Sequence, residues 1–189
     1  MRRCNKGFLS ANSSTDLRFQ RLIKHINDYS KVGLHPSYGS NDKPKQLRKE
    51  LARLGNITHR FISKSRQHFS ILRFPQTYRD LLAAGMTADY SLGYTNQNGF
   101  RASYCYPYRW YSLEIESVST LMLHPYCMSE VTLKSEAEKR NTDMLLLAAE
   151  LINEVKKYNG ECISIFHNHM FTEEIKQFYP QFLSLAKAL

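Results

Sequence analysis

The feature that most constrains the fold of this chain is a repeated unit, in which a short apolar run ends in a polar segment and a helical pattern follows. Strands alternating with helices predict a largely parallel sheet, either open or closed into a barrel. In such folds, binding groups collect at the carboxyl ends of the strands. We therefore expect one polar pocket, formed by the residues that follow the predicted strands: His35, Arg66, His68, His124, His167 and His169.

Apolar periodicity and helix-terminating residues give an approximate boundary for each predicted element. The predicted helix after Thr15 and Asp16 carries Leu17, Leu22, Ile23 and Ile26 on one face. Residues 99–111 form an aromatic-rich region that we predict as a loop. The predicted strands cover residues 31–34, 61–64, 120–123 and 162–166, with a short element at 89–94, and the helices cover 16–29, 44–54, 75–82, 142–158 and the carboxyl end.

The length of 189 residues predicts one domain, at residues 16–189, preceded by an irregular segment at residues 1–15. The four cysteines are too widely spaced for a C-x-x-C pair, which argues against a zinc ribbon or zinc finger. We expect them to be free thiols in a reducing compartment.

No stretch approaches the roughly 20 apolar residues of a membrane span, and the basic amino terminus lacks the apolar run of a signal peptide. We therefore predict a cytoplasmic protein, or one that has lost its leader, with no membrane partner. The net charge of +9 predicts a generally positive surface. Because no nucleic-acid-binding module is recognisable, we predict no nucleic-acid partner and keep a basic nucleic-acid-associated protein as the weakest alternative.

Histidine at a strand end serves as a metal ligand, as a general acid or base, or as a hydrogen-bonded structural residue. A catalytic metal site requires three protein ligands and an open position, and imidazole-rich ligation favours zinc, cobalt, nickel or iron over magnesium. Carboxylates are scarce near the predicted pocket. Asp89 and Glu130 are the candidates, and the sequence leaves open whether they lie on the surface.

Six short segments, taken together in their order and spacing, resemble the NodB-homology polysaccharide deacetylases over roughly residues 19–167. This resemblance implies a distorted (β/α) barrel that removes acetyl groups from N-acetylated glycans with a divalent metal, zinc or else cobalt or nickel. The barrel would be incomplete here, because the early Asp-Asp motif of the family has no match in residues 1–30. The six segments are residues 32–38, 65–69, 89–94, 99–102, 123–126 and 164–168.

The resemblance also assigns roles to individual residues. His35 matches the first histidine of the metal motif, Arg66 the arginine that orients the catalytic carboxylate, and His167 the general acid. We add His68 as a second residue reaching the metal or the substrate. Arg101, Tyr38 and Trp110 are the expected substrate-binding residues, although an aromatic loop packed over the barrel mouth would explain residues 104–111 equally well.

One departure from the family pattern concerns the second histidine of the metal motif. The family places it four residues after the first, where this chain has Gly39. Together with the missing Asp-Asp motif, this leaves an alternative of a different class. In that alternative the protein is a non-catalytic deacetylase remnant that binds a glycan or a partner protein through the same pocket.

Overall fold

A computed structural model describes residues 15–187, so that the irregular segment predicted at residues 1–15 lies outside the described residues except for Thr15. The described residues form six α-helices and six strands. The helices are α1 (Leu17–Tyr29), α2 (Pro44–Thr58), α3 (Gln76–Ala83), α4 (Glu130–Arg140), α5 (Met144–Lys157) and α6 (Glu173–Lys187). The strands are β1 (Lys64–Ser65), β2 (Ala88–Asp89), β3 (Tyr108–Ser112), β4 (Ser117–Leu123), β5 (Met128–Ser129) and β6 (Ser164–Ile165).

The strands form two small sheets. The first has the order β1-β2-β4-β3, in which β1, β2 and β4 are parallel and β3 runs antiparallel to β4. Leu34 extends this sheet through a parallel bridge to Ser65. The second sheet is the parallel pair of β5 and β6. The predicted α/β class with parallel pairing is thus confirmed, and within residues 15–187 the strands do not close into a barrel.

Two regions differ from the sequence prediction. The carboxyl end of the predicted aromatic loop is an edge strand, β3, whose alternating half-buried and exposed residues pair with β4. Strand β5 and helix α4 were not predicted at all. A two-residue strand is too short to show a period, and α4 mixes its apolar residues with charged ones around the helix.

The first turns of three helices are fixed by polar side chains. Asp16 accepts a hydrogen bond from the backbone N–H of Arg18 and caps α1, as predicted. Ser129 and Thr132 form a reciprocal capping box that starts α4 directly after β5. Asp143 caps α5 through the N–H of Leu145.

Helix α2 starts at Pro44, as predicted, and ends four residues later than predicted. Asn41 and Asp42 are residue types that commonly cap helices, yet Lys43 is the residue that precedes Pro44 at the start of the helix. Gly55 does not end the helix, which continues to Thr58 and stops at His59, a residue in the left-handed region with φ 53°. A glycine within the last turns of a helix is tolerated when packing holds the helix together.

The apolar face predicted for α1 is only partly used. Leu17, Leu22 and Ile26 are 66%, 51% and 45% exposed, whereas Ile23 is half-buried. The periodicity therefore predicted the helix correctly and its burial wrongly.

Two apolar clusters hold the described residues together. In the first, α2 and α3 pack on the larger sheet, with Leu47, Leu81 and Leu121 buried at its centre. In the second, α4, α5 and α6 pack around the smaller sheet, with Leu133 and Ile152 at its centre. Each such side chain contributes about 1.5–3 kcal/mol when fully buried. No helix in residues 15–187 combines the length and the apolar character required to cross a membrane.

Candidate functional site

Three strand ends of the two sheets lead into single-turn 3-10 helices. Leu34, β1 and β6 are followed by the turns Tyr38–Ser40, His68–Ser70 and Asn168–Met170. These tight connections place His35, Arg66, His68 and His167 directly beyond the strands, as the sequence predicted.

The imidazoles of His35 and His68 are in contact. Nδ1 of His35 lies 2.7 Å from the carbonyl oxygen of Arg66, and because a carbonyl can only accept, this nitrogen carries the proton. In the neutral ring the other nitrogen, Nε2, is then an acceptor, and it accepts a hydrogen bond from Nδ1–H of His68 at 3.1 Å. Two residues 33 positions apart therefore place two ring nitrogens at one point.

The surroundings of this pair favour neutral imidazoles. Partial burial lowers the pKa of His35, and the positive charges of Arg66 and His167 lower it further, against the hydrogen bond to the Arg66 carbonyl. Burial also lowers the pKa of His68, with His35 and His167 contributing. Both rings therefore carry lone pairs at neutral pH.

His167 is oriented by a buried carboxylate. Oε1 of Glu130 accepts a hydrogen bond from the backbone N–H of His167 at 3.0 Å and lies 2.5 Å from its Nδ1. The His167 side chain is 42% exposed, and its charge acts on both His35 and His68. The geometry leaves Nε2 of His167 available to exchange a proton with a bound molecule.

Glu130, which sequence reasoning left as a possible surface residue, is only 2% exposed. It is the first residue of α4 and follows β5, the strand paired with the one that precedes His167. Its Oε2 is buried and has no hydrogen-bond partner among the described residues. An unpaired buried oxygen of this kind costs about 1–3 kcal/mol, and an ordered water or a ligand would remove that cost.

The charge of the Arg66 guanidinium acts on His35. The guanidinium lies over the ring of Tyr126, with 5.8 Å from its Cζ to the ring centroid. Burial lowers the pKa of Arg66, whereas Tyr126, Asp89 and Tyr90 raise it, and an arginine remains charged in such surroundings.

Asp89 is also buried, with 0% exposure, and is not the surface residue that the sequence allowed. Its Oδ2 accepts hydrogen bonds from the hydroxyls of Ser65 and Ser91 at 2.9 and 2.8 Å, and its Oδ1 accepts one from the Ser91 N–H. Burial raises the pKa of Asp89, whereas these hydrogen bonds and the charge of Arg66 lower it. Asp89 is thus a carboxylate whose charge interacts with that of Arg66.

Two aromatic side chains border the histidine pair. The ring of Phe69 lies edge-on to His68 at 4.4 Å and to Tyr38 at 6.2 Å, and both aromatic residues are largely exposed. Phe69 adopts a left-handed backbone conformation with φ 54°, an energetic cost that often accompanies functional sites. Sequence reasoning did not single out Phe69, although it directly follows His68.

Tyr126, whose ring lies under Arg66, also contacts two neighbouring loops. Its hydroxyl lies 3.0 Å from the Ser70 hydroxyl and donates to the carbonyl of Tyr94. A Cβ at Gly93 would lie 2.4 Å from the Tyr126 ring, so only glycine allows this approach.

Arg101 and Trp110 lie around a different residue. Trp110 contacts the buried ring of Tyr78 at 5.5 Å, and the charge of the exposed Arg101 acts on the same tyrosine. Among residues 15–187, neither residue makes a hydrogen bond, an ion pair or a ring contact with His35, His68 or His167. Their predicted substrate-binding role is therefore not supported by proximity to the histidines.

His124 belongs to a second polar group. Its Nδ1 lies 2.7 Å from Oε2 of Glu161, and its ring stacks on Tyr90 at 4.4 Å. The Tyr90 hydroxyl accepts a hydrogen bond from Lys64. The strand ends thus form two polar groups. They are connected through Tyr90, which stacks on His124 and raises the pKa of Arg66.

His35 and His68 suit two positions of a metal site. A backbone carbonyl that fixes Nδ1–H is a common outer partner of a ligating histidine, and it leaves Nε2 for the metal. Residues 15–187, however, contain no group of three His, Cys, Asp or Glu side chains that could hold a metal ion. The histidine pair therefore fits part of the expected ligand set and not the whole of it.

Positive charge is concentrated on the α1–α2 side of the molecule and is not spread evenly. Residues 15–60 contain ten Lys and Arg against four Asp and Glu, whereas residues 61–187 contain thirteen of each. An open groove between the two helices is lined by Lys24, Lys49, Arg53 and His59, with no acidic side chain. An anionic molecule that approaches this side meets an excess of positive charge.

No protein-family model and no curated protein matches the chain.

Proposed function

We propose that this protein is a carbohydrate deacetylase-like hydrolase that removes acetyl groups from N-acetylated polysaccharides. The observation that carries the proposal is the contact of His35 with His68 next to His167, whose ring is held by the buried Glu130. A pair of neutral imidazoles beside an oriented histidine suits the hydrolysis of an amide bond.

His167 would be the proton donor of the reaction. Glu130 fixes the orientation of the ring through its Nδ1, so that Nε2 can protonate the departing amine. This role matches the one that the deacetylase resemblance assigns to His167.

Arg66 and Asp89 would position the reacting groups. The backbone carbonyl of Arg66 accepts the hydrogen bond of His35, and the charge of its half-buried guanidinium interacts with the carboxylate of Asp89. Tyr38 and Phe69 would stack on a sugar ring at the exposed edge of the site. Arg101 and Trp110, around Tyr78, would contact a more distant part of a long glycan.

His35 and His68 would hold the divalent metal, zinc or else cobalt or nickel. Such an ion, when bound, polarises the acetyl carbonyl and lowers the pKa of a bound water. A third protein ligand is not supplied by residues 15–187. The proposal extends to the fold, an incomplete (β/α) barrel of the polysaccharide deacetylase type, and to a cytoplasmic location.

An acetate-release assay tests the activity. The full chain is incubated with N-acetylated chitooligosaccharides and added zinc or cobalt, beside His167→Gln and the matched control His25→Gln on α1. We expect release by the wild type and the control, and a loss of about 100-fold or more in His167→Gln. Equal release by all three proteins would contradict the assignment.

The alternative is a glycan-binding protein without catalysis, and the incomplete ligand set favours it. It predicts that the wild type binds the same oligosaccharides, that binding weakens when Tyr38 and Phe69 are replaced by alanine, and that no acetate is released with any metal. Calorimetry together with the release assay therefore separates the two functions.

A further inference from the structure

Cys127 and Cys162 bring two thiols together at the second sheet. Their Sγ atoms are 3.8 Å apart, although the residues are 35 positions apart in the chain. The backbone N–H of Cys127 donates to the carbonyl of Ile163 at 3.0 Å, so the two chain segments are joined at this point. Sequence spacing gave no sign of this pair.

The two sulfurs have different surroundings. Cys127 is 1% exposed within the apolar cluster of α4, α5 and α6, whereas Cys162 is half-buried. The hydrogen bond to Cys162 and burial raise the pKa of Cys127, and the same hydrogen bond lowers the pKa of Cys162. Cys162 is therefore the sulfur that a small molecule reaches and the better nucleophile.

We propose that Cys127 and Cys162 form a reactive dithiol site, which small disulfides such as oxidised glutathione convert to an intramolecular disulfide. A disulfide requires about 2.05 Å between its sulfurs, so closure moves the pair together by less than 2 Å. The chain segments already run side by side, which spares the backbone a large movement.

The reaction proceeds in two exchanges. The Cys162 thiolate attacks one sulfur of the small disulfide, a mixed disulfide forms on Cys162, and one glutathione thiolate leaves. Cys127 then loses its proton and attacks Cys162 Sγ, which releases the second glutathione. The protein loses two electrons and two protons, and one oxidised glutathione becomes two reduced molecules.

The disulfide would join the strands that carry the His167–Glu130 pair. Cys127 lies three residues before Glu130, and Cys162 lies five residues before His167. Oxidation therefore cross-links the two segments that lead into β5 and β6, the strands that precede Glu130 and His167, and reduction releases them.

Intact mass spectrometry of the full chain, treated with oxidised glutathione, tests the proposal without any activity assay. The wild type and the control Cys105→Ser are expected to lose two hydrogen atoms and to give a cross-linked peptide of Cys127 and Cys162. Treatment with dithiothreitol is expected to restore the two hydrogen atoms. Cys127→Ala is expected to stop at a stable glutathione adduct on Cys162. Cys162→Ala is expected to form neither product at Cys127.

Hydrogen exchange of the oxidised and reduced wild type provides a second measurement that requires no variant. Amides of β5 and β6 are expected to exchange about tenfold more slowly after oxidation, and those of β1 and β2 at an unchanged rate. The proposal is overturned if the wild type gives only glutathione adducts, if Cys4, Cys105 or a second chain supplies the cross-link, or if exchange at β5 and β6 is unchanged.

Discussion

One oxygen of Glu130 binds His167 twice, at 3.0 Å from the backbone nitrogen and at 2.5 Å from Nδ1 of the ring. The carboxylate is buried and the ring reaches the surface, so the pair connects the core of the second sheet to the histidine group. This arrangement makes Glu130 a positioning residue for His167.

Replacement of Glu130 by glutamine tests that role. The amide keeps the shape of the side chain and removes the negative charge that holds Nδ1 of His167, so we expect acetate release to fall about 10- to 100-fold. Glu161→Gln, which alters the pair with His124, is the matched control. An unchanged rate in Glu130→Gln, in a protein with the wild-type melting temperature, would contradict the positioning role.

Replacement of Asp89 by asparagine tests the buried network under the site. The amide places donor hydrogens toward donors on Ser65 and Ser91, so at least one buried group loses its partner. We expect the free energy of unfolding to fall by about 1–3 kcal/mol, measured by urea denaturation. The exposed Asp28→Asn, at a long ion pair with Arg60, is expected to change it by less than about 0.5 kcal/mol. Similar values for the two variants would count against the network.

The loop that carries His35 is expected to weaken in acid because of Glu50. Burial alone would raise the pKa of Glu50, but hydrogen bonds from the hydroxyl and N–H of Ser37 outweigh it and lower that pKa. A carboxyl group whose pKa is lower in the folded state adds stability above its unfolded value, and this stability is lost as the pH falls through the folded value. Between pH 6 and pH 3, the melting temperature should therefore fall more steeply for the wild type than for Glu50→Gln. Parallel curves would show that Glu50 is not coupled to the loop.

The sequence predicted several parts of the fold because local patterns determine them. Asp16 and the period that follows it gave α1, and the apolar period of residues 142–158 gave α5, where Ala148, Ile152 and Val155 are buried. The strand ends placed His35 and His68 together because parallel strands end at a common edge. The recurring unit was thus sufficient for the main elements and for the centre of the candidate site.

The remaining features depend on contacts between distant residues. Strand β5 pairs through only two residues and shows no apolar period in the sequence. The contact of Glu130 with His167 could therefore not be predicted. Arg101 was assigned with the family resemblance and Trp110 from its aromatic loop, whereas tertiary packing places both around Tyr78. The exposure of Leu22 and Ile26 on α1 likewise depends on which surfaces meet.

The most direct test of the central claim is a zinc titration of the full chain with ¹⁵N-labelled imidazoles, observed by NMR. If His35 and His68 form one metal-binding point beside His167, the ring signals of His35 and His68 should shift together at the same zinc concentration, and His35→Ala should abolish the shift at His68. The rings of His25 and His59 on the α1–α2 side should not respond in that range. Independent responses of His35 and His68, or equal responses of His25 and His59, would contradict the account.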